Sequence, residues 1–95
     1  MKILIQAPDI KLQQELSDFI EEKVNKLERF TDDILESRVL LKVDKSDNRE
    51  NKICEIRLVV RGHDLFASRQ SKSFEEAAIE AVEALRKQIE SRKDK

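Results

Sequence analysis

Apolar residues change their spacing along this chain between an alternating and a helical period, and each change marks a new element. Residues 2–6 read Lys-Ile-Leu-Ile-Gln, with Ile3 and Ile5 on one side, which predicts a short strand. Pro8 and Asp9 end it, and Asp9 is placed to cap the helix after it. From Lys11 to Phe30 the period is helical. Leu12, Leu16, Phe19, Ile20, Val24 and Leu27 fall on one stripe of an amphipathic helix. Thr31-Asp32-Asp33 breaks it, and Val39, Leu41 and Val43 then alternate with Arg38, Lys42 and Asp44 as a second strand. Lys45–Asn51 is polar and rich in turn formers, so it reads as a hairpin loop. Cys54, Ile56, Leu58 and Val60 alternate with Glu55, Arg57 and Arg61, the cleanest strand pattern in the chain. Gly62 is the only glycine, and Arg61-Gly62-His63-Asp64 predicts a tight turn into a shorter strand over Asp64–Gln70. Ser73 and Glu76 have the spacing of a capping box. Phe74, Ala78, Ala81, Val82, Leu85 and Ile89 then mark one face of a helix that reaches about Arg92.

The order is therefore β-α-β-β-β-α, an α+β fold in a single domain over residues 1–95. A right-handed crossover makes strands one and two parallel, and short turns make the rest antiparallel, so the four-stranded sheet is mixed. Each helix has one apolar face, so both must cover the same face of the sheet. On this topology both run in the same direction, and their C-terminal ends lie at one edge of the domain.

That edge matters because charge is unevenly placed. The chain has 95 residues, is 41% charged, and carries a formal net charge of −1, so it is not a polycation. Its cations cluster nonetheless. The first helix begins with Glu15, Asp18, Glu21 and Glu22 and ends with Lys23, Lys26 and Arg29, opposed by Glu28. The second begins with Glu75, Glu76, Glu80 and Glu83 and ends with Arg86, Lys87, Arg92, Lys93 and Lys95, opposed by Glu90 and Asp94. The helix dipole favours such a gradient in any helix. It does not require two basic ends side by side, and together they form a patch fit to meet phosphates.

Other chemistry is thinly represented. There is no Trp or Tyr and only four Phe, which argues against a site of stacked aromatics. A single glycine cannot build a phosphate-binding loop. His63 beside Asp64 has no nucleophile or second polar cluster near it in sequence, so no catalytic residues are expected. The pairs Asp32-Asp33 and Glu75-Glu76 sit where helix termination and capping account for them, and no metal or cofactor is expected. Cys54, the only cysteine, excludes an internal disulfide and suits a reduced, cytoplasmic setting as a core residue. No apolar run approaches the ~20 residues needed to span a bilayer.

Leu16–Asp44 (LSDFIEEKVNKLERFTDDILESRVLLKVD) closely resembles the first helix and second strand of the ribosome hibernation-promoting factor and ribosome-associated inhibitor family. Its pattern is F-I/V-x-x-K-x-x-K-L-x-x-Y/F, a turn, then V-x-L-K-V. Gly62–Ala67, Ser73–Ala78 and Leu85–Ile89 look like that family's last strand and helix, so the resemblance covers essentially the whole chain. It implies a double-stranded-RNA-binding-domain-like fold. It also implies a non-enzymatic factor that binds the small ribosomal subunit and its 16S-type rRNA between head and body. There it would block mRNA and tRNA sites, with no membrane or small-molecule partner. The family's contacting positions correspond to Lys23, Lys26 and Arg29 in the first helix and Arg86, Lys87, Arg92 and Lys93 in the second. Ala84 and Ser91 stand where relatives often carry cations, and Phe30 where they carry a tyrosine, which implies weaker, more salt-sensitive binding. The long forms' C-terminal dimerisation domain is not expected, so pairing of ribosomes would need a separate partner factor. Two alternatives use the same fold. One is a general double-stranded-RNA-binding module. The other is a protein-interaction module acting through the exposed sheet face at Lys42, Glu55, Arg57 and Arg61.

Overall fold

A computed structural model of the chain describes residues 1–46 and 49–93, Lys93 by its backbone alone. The elements are β1 (Lys2–Gln6), α1 (Gln14–Asn25) continued by a 3-10 turn (Lys26–Arg29), β2 (Ile34–Val43), β3 (Lys52–Val60), β4 (Leu65–Ser71) and α2 (Phe74–Lys93). The sheet order is β1-β2-β3-β4. β1 is parallel to β2, with Leu4 beside Arg38, and the other pairs are antiparallel, with Val39 opposite Ile56 and Ile56 opposite Ala67. The chain is thus the expected α+β fold with a mixed four-stranded sheet.

Alternation decides which side is dry. Val39 and Leu41 of β2, Cys54, Ile56, Leu58 and Val60 of β3, and Leu65 and Ala67 of β4 are all buried on one face. Ile20, Val24 and Leu27 cover them from the first helical segment, and Phe74, Ala77, Ala78, Ala81, Leu85 and Ile89 from α2. The three alanines are fully buried, and their small side chains let α2 lie close against β3 and β4. A bulge between Ile34 and Glu36 takes up one residue, so that Ile34 and Ser37 are both buried while Leu35 points outward. Gly62 has φ +96°, a left-handed value that suits glycine, which is why the β3–β4 turn carries the chain's glycine.

Several boundaries differ from the periodicity reading. α1 begins at Gln14, not Lys11, and Asp9 does not cap it. Ile10 N–H closes a turn on the Ala7 carbonyl at 3.4 Å, and Asp9 Oδ2 accepts from Val43 N–H at 3.4 Å. The acid therefore ties the connection to the end of β2, and Leu12 lies in an extended lead-in. The helix tightens to 3-10 geometry from Lys26. β2 begins at Ile34, which pairs with Val60 of β3 ahead of the pairing with β1 over Glu36 to Leu40. β4 runs one residue further than expected, to Ser71. Ser73 does cap α2, accepting from Glu76 N–H at 3.1 Å. The reciprocal half of the box is replaced: the Glu76 carboxylate accepts instead from the buried Ser71 hydroxyl at 2.9 Å, which gives that hydroxyl its partner. The expected hairpin loop Lys45–Asn51 contains Asp47 and Asn48, which lie outside the described residues, as do Asp94 and Lys95.

Three buried side chains yield tests. Ser37 Oγ has no partner among the described residues, so Ser37→Ala should leave stability unchanged or raise it. Leu58→Ala at the same depth should cost about 2–5 kcal/mol, both read by urea unfolding. Burial, aided by the Glu55 charge, pushes the Cys54 thiol up to about 12. A thiol raised on folding favours the folded state below its ordinary value of 9.0, and that contribution fades as pH climbs toward about 12. Cys54 should therefore react with a disulfide reagent at mildly alkaline pH only after denaturant is added. Rapid labelling of the folded protein would refute this burial.

Candidate nucleic-acid interface

The 3-10 turn ends beside the start of β2. At the same edge, Ile89 and Arg92 of α2 line a hollow of about 220 Å³ with Thr31, Asp33, Val60 and Leu65. The C-terminal ends of both helices therefore meet where β2 begins, β3 ends and β4 begins. Phe30, just after the 3-10 turn, lies under the Arg86 guanidinium, 5.9 Å from ring centre to Cζ, and this contact joins the two ends.

The seven sequence-predicted cations are not equivalent. Lys26 and the exposed Arg29 share a shallow groove of about 260 Å³ with Glu22 and Asn25. Arg92 is exposed across the hollow. Lys23 lies a turn back, half-buried, with its ammonium 5.1 Å from the Phe19 ring centre. Lys87 is exposed on the other flank of α2, where it lines a groove with Arg69 of β4, and the fold does not bring it together with Lys26 and Arg29. The Lys93 side chain is outside the described residues.

Arg86 is where the charge reading needs amending. Its Nη1 donates to Glu90 Oε1 at 2.7 Å and its Nε to Glu83 Oε2 at 3.0 Å, and Nη2 also meets Glu83. These hydrogen bonds raise the Arg86 pKa and hold the Glu83 carboxyl below the usual range. One guanidinium between two carboxylates makes a cluster that is net negative. A depressed carboxyl keeps its pair above the ordinary carboxylate range and loses it only as pH falls through the lowered value, so the cluster is intact at neutral pH.

Arg61, expected on the exposed sheet face, lies outside the strands and was missed as a residue of this edge. It is exposed in the β3–β4 turn, which the topology sends to the same edge as Arg29 and Arg92. Its place beside the lone glycine, between two strands, was the available signal. Arg69 was missed as well. Some acids at this edge are already engaged: Glu28 lies 3.3 Å from the N-terminal ammonium and Asp64 3.7 Å from Arg57. Among the described residues, no cluster of three metal-ligating side chains forms, and no helix is long and apolar enough to cross a membrane.

A four-stranded mixed sheet with two helices on one face and cations at their joined ends defines a class of small α+β proteins that present a charged helical edge. Within it, the chain belongs to the family described as Sigma 54 modulation protein / S30EA ribosomal protein, whose model matches residues 3–95. This family consists of ribosome-associated hibernation and modulation factors, a non-enzymatic class. The chain is similar to a ribosome hibernation promoting factor of Klebsiella oxytoca, 28% identical over 95 residues, covering 100% of this chain and 96% of the relative. Its fold is that of a ribosomal subunit interface protein from Coxiella burnetii, with TM-score 0.87, 18% identity and 100% of both chains covered. It is also that of the N-terminal domain of Thermus thermophilus Protein Y, with TM-score 0.78, 22% identity, and 94% of this chain and 96% of that one covered.

If Glu83 and Glu90 restrain Arg86, Glu83→Gln/Glu90→Gln should raise the salt concentration needed to elute the protein from heparin. The gain should exceed that of Glu75→Gln/Glu80→Gln, which removes the same charge from the other end of α2. Equal shifts would mean that only net charge matters.

Proposed function

We propose that this protein is a cytoplasmic translation-silencing factor that binds the small ribosomal subunit between head and body and sterically excludes mRNA and tRNA. The observation that carries this reading is the meeting of Lys26, Arg29, Arg61 and Arg92 at one edge, in a chain whose family is ribosome-associated. The resemblance of the whole chain to a named hibernation promoting factor supports it.

Binding requires no bond chemistry. Phosphates of folded rRNA replace the counterions and water around the exposed cations, and release of counterions supplies much of the affinity. Shape then selects the site, because a rigid two-layer wedge fits a channel that an isolated helix would not fill. Lys26, Arg29 and Arg92 are the principal anchors and Arg61 adds to them. Lys23, held over Phe19, reaches phosphate at the margin. Arg86 serves first as the strap between the helix ends and contacts phosphate only as Glu83 and Glu90 release it. Lys87, with Arg69, meets a different strand of RNA from the other cations. The acidic beginnings of both helices face away and orient the approach.

The test is sucrose-gradient sedimentation with purified subunits and ribosomes, wild type beside Lys26→Glu/Arg29→Glu/Arg92→Glu. Wild type should travel with the small subunit and the whole ribosome and inhibit cell-free translation. The triple variant should bind at least about tenfold more weakly, with a salt dependence shallower by ~2 in logarithmic slope. Wild type remaining at the top of the gradient at low salt would sink the proposal. Equally tight binding to a free RNA duplex would instead favour a general double-stranded-RNA module.

A further inference from the structure

Both helices lie on one face of the sheet, and among the described residues no element covers the other. Across that bare face the strand register sets Leu4, Arg38, Arg57 and Phe66 in a single row, one residue from each strand. Leu4 and Phe66, at the two ends of the row, are 40% and 43% exposed. The row lines a shallow groove of about 420 Å³ whose floor includes Leu40.

Two cations directly opposite each other on neighbouring strands weaken a sheet unless something lies between them or draws them apart. Here each is drawn outward. Arg38 Nε donates to Glu36, and Arg57 lies over Phe66 at 5.1 Å and 3.7 Å from Asp64. Glu55 of the adjacent row turns to Lys42 at 3.1 Å. The row thus carries two guanidiniums at its centre, each beside a single exposed-face carboxylate, and an apolar contact at each end.

We propose that this row is a docking site for an extended segment of a partner polypeptide of the form apolar-x-acidic-x-apolar, laid across the strands. Spacing selects that pattern. Strands ~4.8 Å apart put β1 and β4 ~14 Å from each other, and the Arg38–Arg57 pair midway at ~7 Å. An extended peptide rises ~3.4 Å per residue and points alternate side chains to one face, so positions i, i+2 and i+4 fall at about 0, 7 and 14 Å. One apolar side chain then meets Leu4, a carboxylate sits between Arg38 and Arg57, and the second apolar side chain meets Phe66. A carboxylate is favoured over nucleic acid. The face has one aromatic ring where stacked bases need several, and Glu36, Glu55 and Asp64 repel a chain of phosphates more than a single acid. The site lies on the sheet face opposite the helices, separate from the cationic edge.

The test is amide-shift NMR on the isotope-labelled full chain, titrated with the peptide Ac-Gly-Leu-Ser-Glu-Ser-Phe-Gly-amide. Saturable shifts are expected at Leu4, Arg38, Arg57 and Phe66 and not at Arg29 or Arg92. A peptide with Lys in place of Glu, and the variant Arg38→Gln/Arg57→Gln, should each lose at least about tenfold in affinity. The variant should keep wild-type sedimentation with ribosomes, which separates this site from the helical edge. The absence of saturable shifts at peptide concentrations on the order of 10⁻³ M would overturn the proposal. So would an oligouridylate moving the same four residues at lower concentration than the peptide, which would make the face a single-strand RNA platform.

Discussion

The structure depends on burying one face of a sheet whose strands alternate, apart from the bulge near the start of β2. Cys54, Ile56 and Leu58 face the helices, and Glu55 and Arg57 face away. A slip of one residue in β3 would exchange the two sets and place charges in the core, so register is held by the cost of burying them. With the dry face decided, both helices must lie on it, and the right-handed crossover from β1 to β2 sets the direction of the first. The cationic edge and the bare outer face are two results of this single constraint.

Much of this was legible in the sequence because periods of two and of about 3.6 belong to the local chain. The order of elements, the inward residues of β3 and the meeting of the helix ends all come from them. What was not legible depends on contacts between distant residues. Asp9 looks like a helix cap until Val43, a full β-α-β unit away, donates to it. Glu76 looks like half of a capping box until Ser71 is buried beside it. Lys87 and Arg86 are neighbours in sequence, yet ~100° of helical turn sends one toward β4 and the other toward Phe30, and only the seating of α2 decides which. The Glu83-Arg86-Glu90 spacing was visible, but adding charges along a helix end conceals that two of them hold a third. The Leu4-Arg38-Arg57-Phe66 row exists only once register is known.

The phenylalanines show how few aromatic residues are used. Phe74 is buried in the core, whereas Phe19, Phe30 and Phe66 each lie beneath a cation: Lys23, Arg86 and Arg57. A ring beneath a long charged side chain removes much of its rotational freedom before any ligand arrives. In a protein of net charge −1, holding a few cations still is a more economical way to favour anions than adding more of them.

The helix that closes the β3 and β4 side of the core follows all four strands in the chain. Strands are added in chain order, β2 onto β1, β3 onto β2 and β4 onto β3, so a growing chain can extend the sheet as it emerges. The β3 and β4 side of that sheet stays wet until Phe74, Ala77, Ala81, Leu85 and Ile89 have been synthesised. Nascent chains short of α2 therefore carry an open apolar surface, and cooperative folding awaits the emergence of α2.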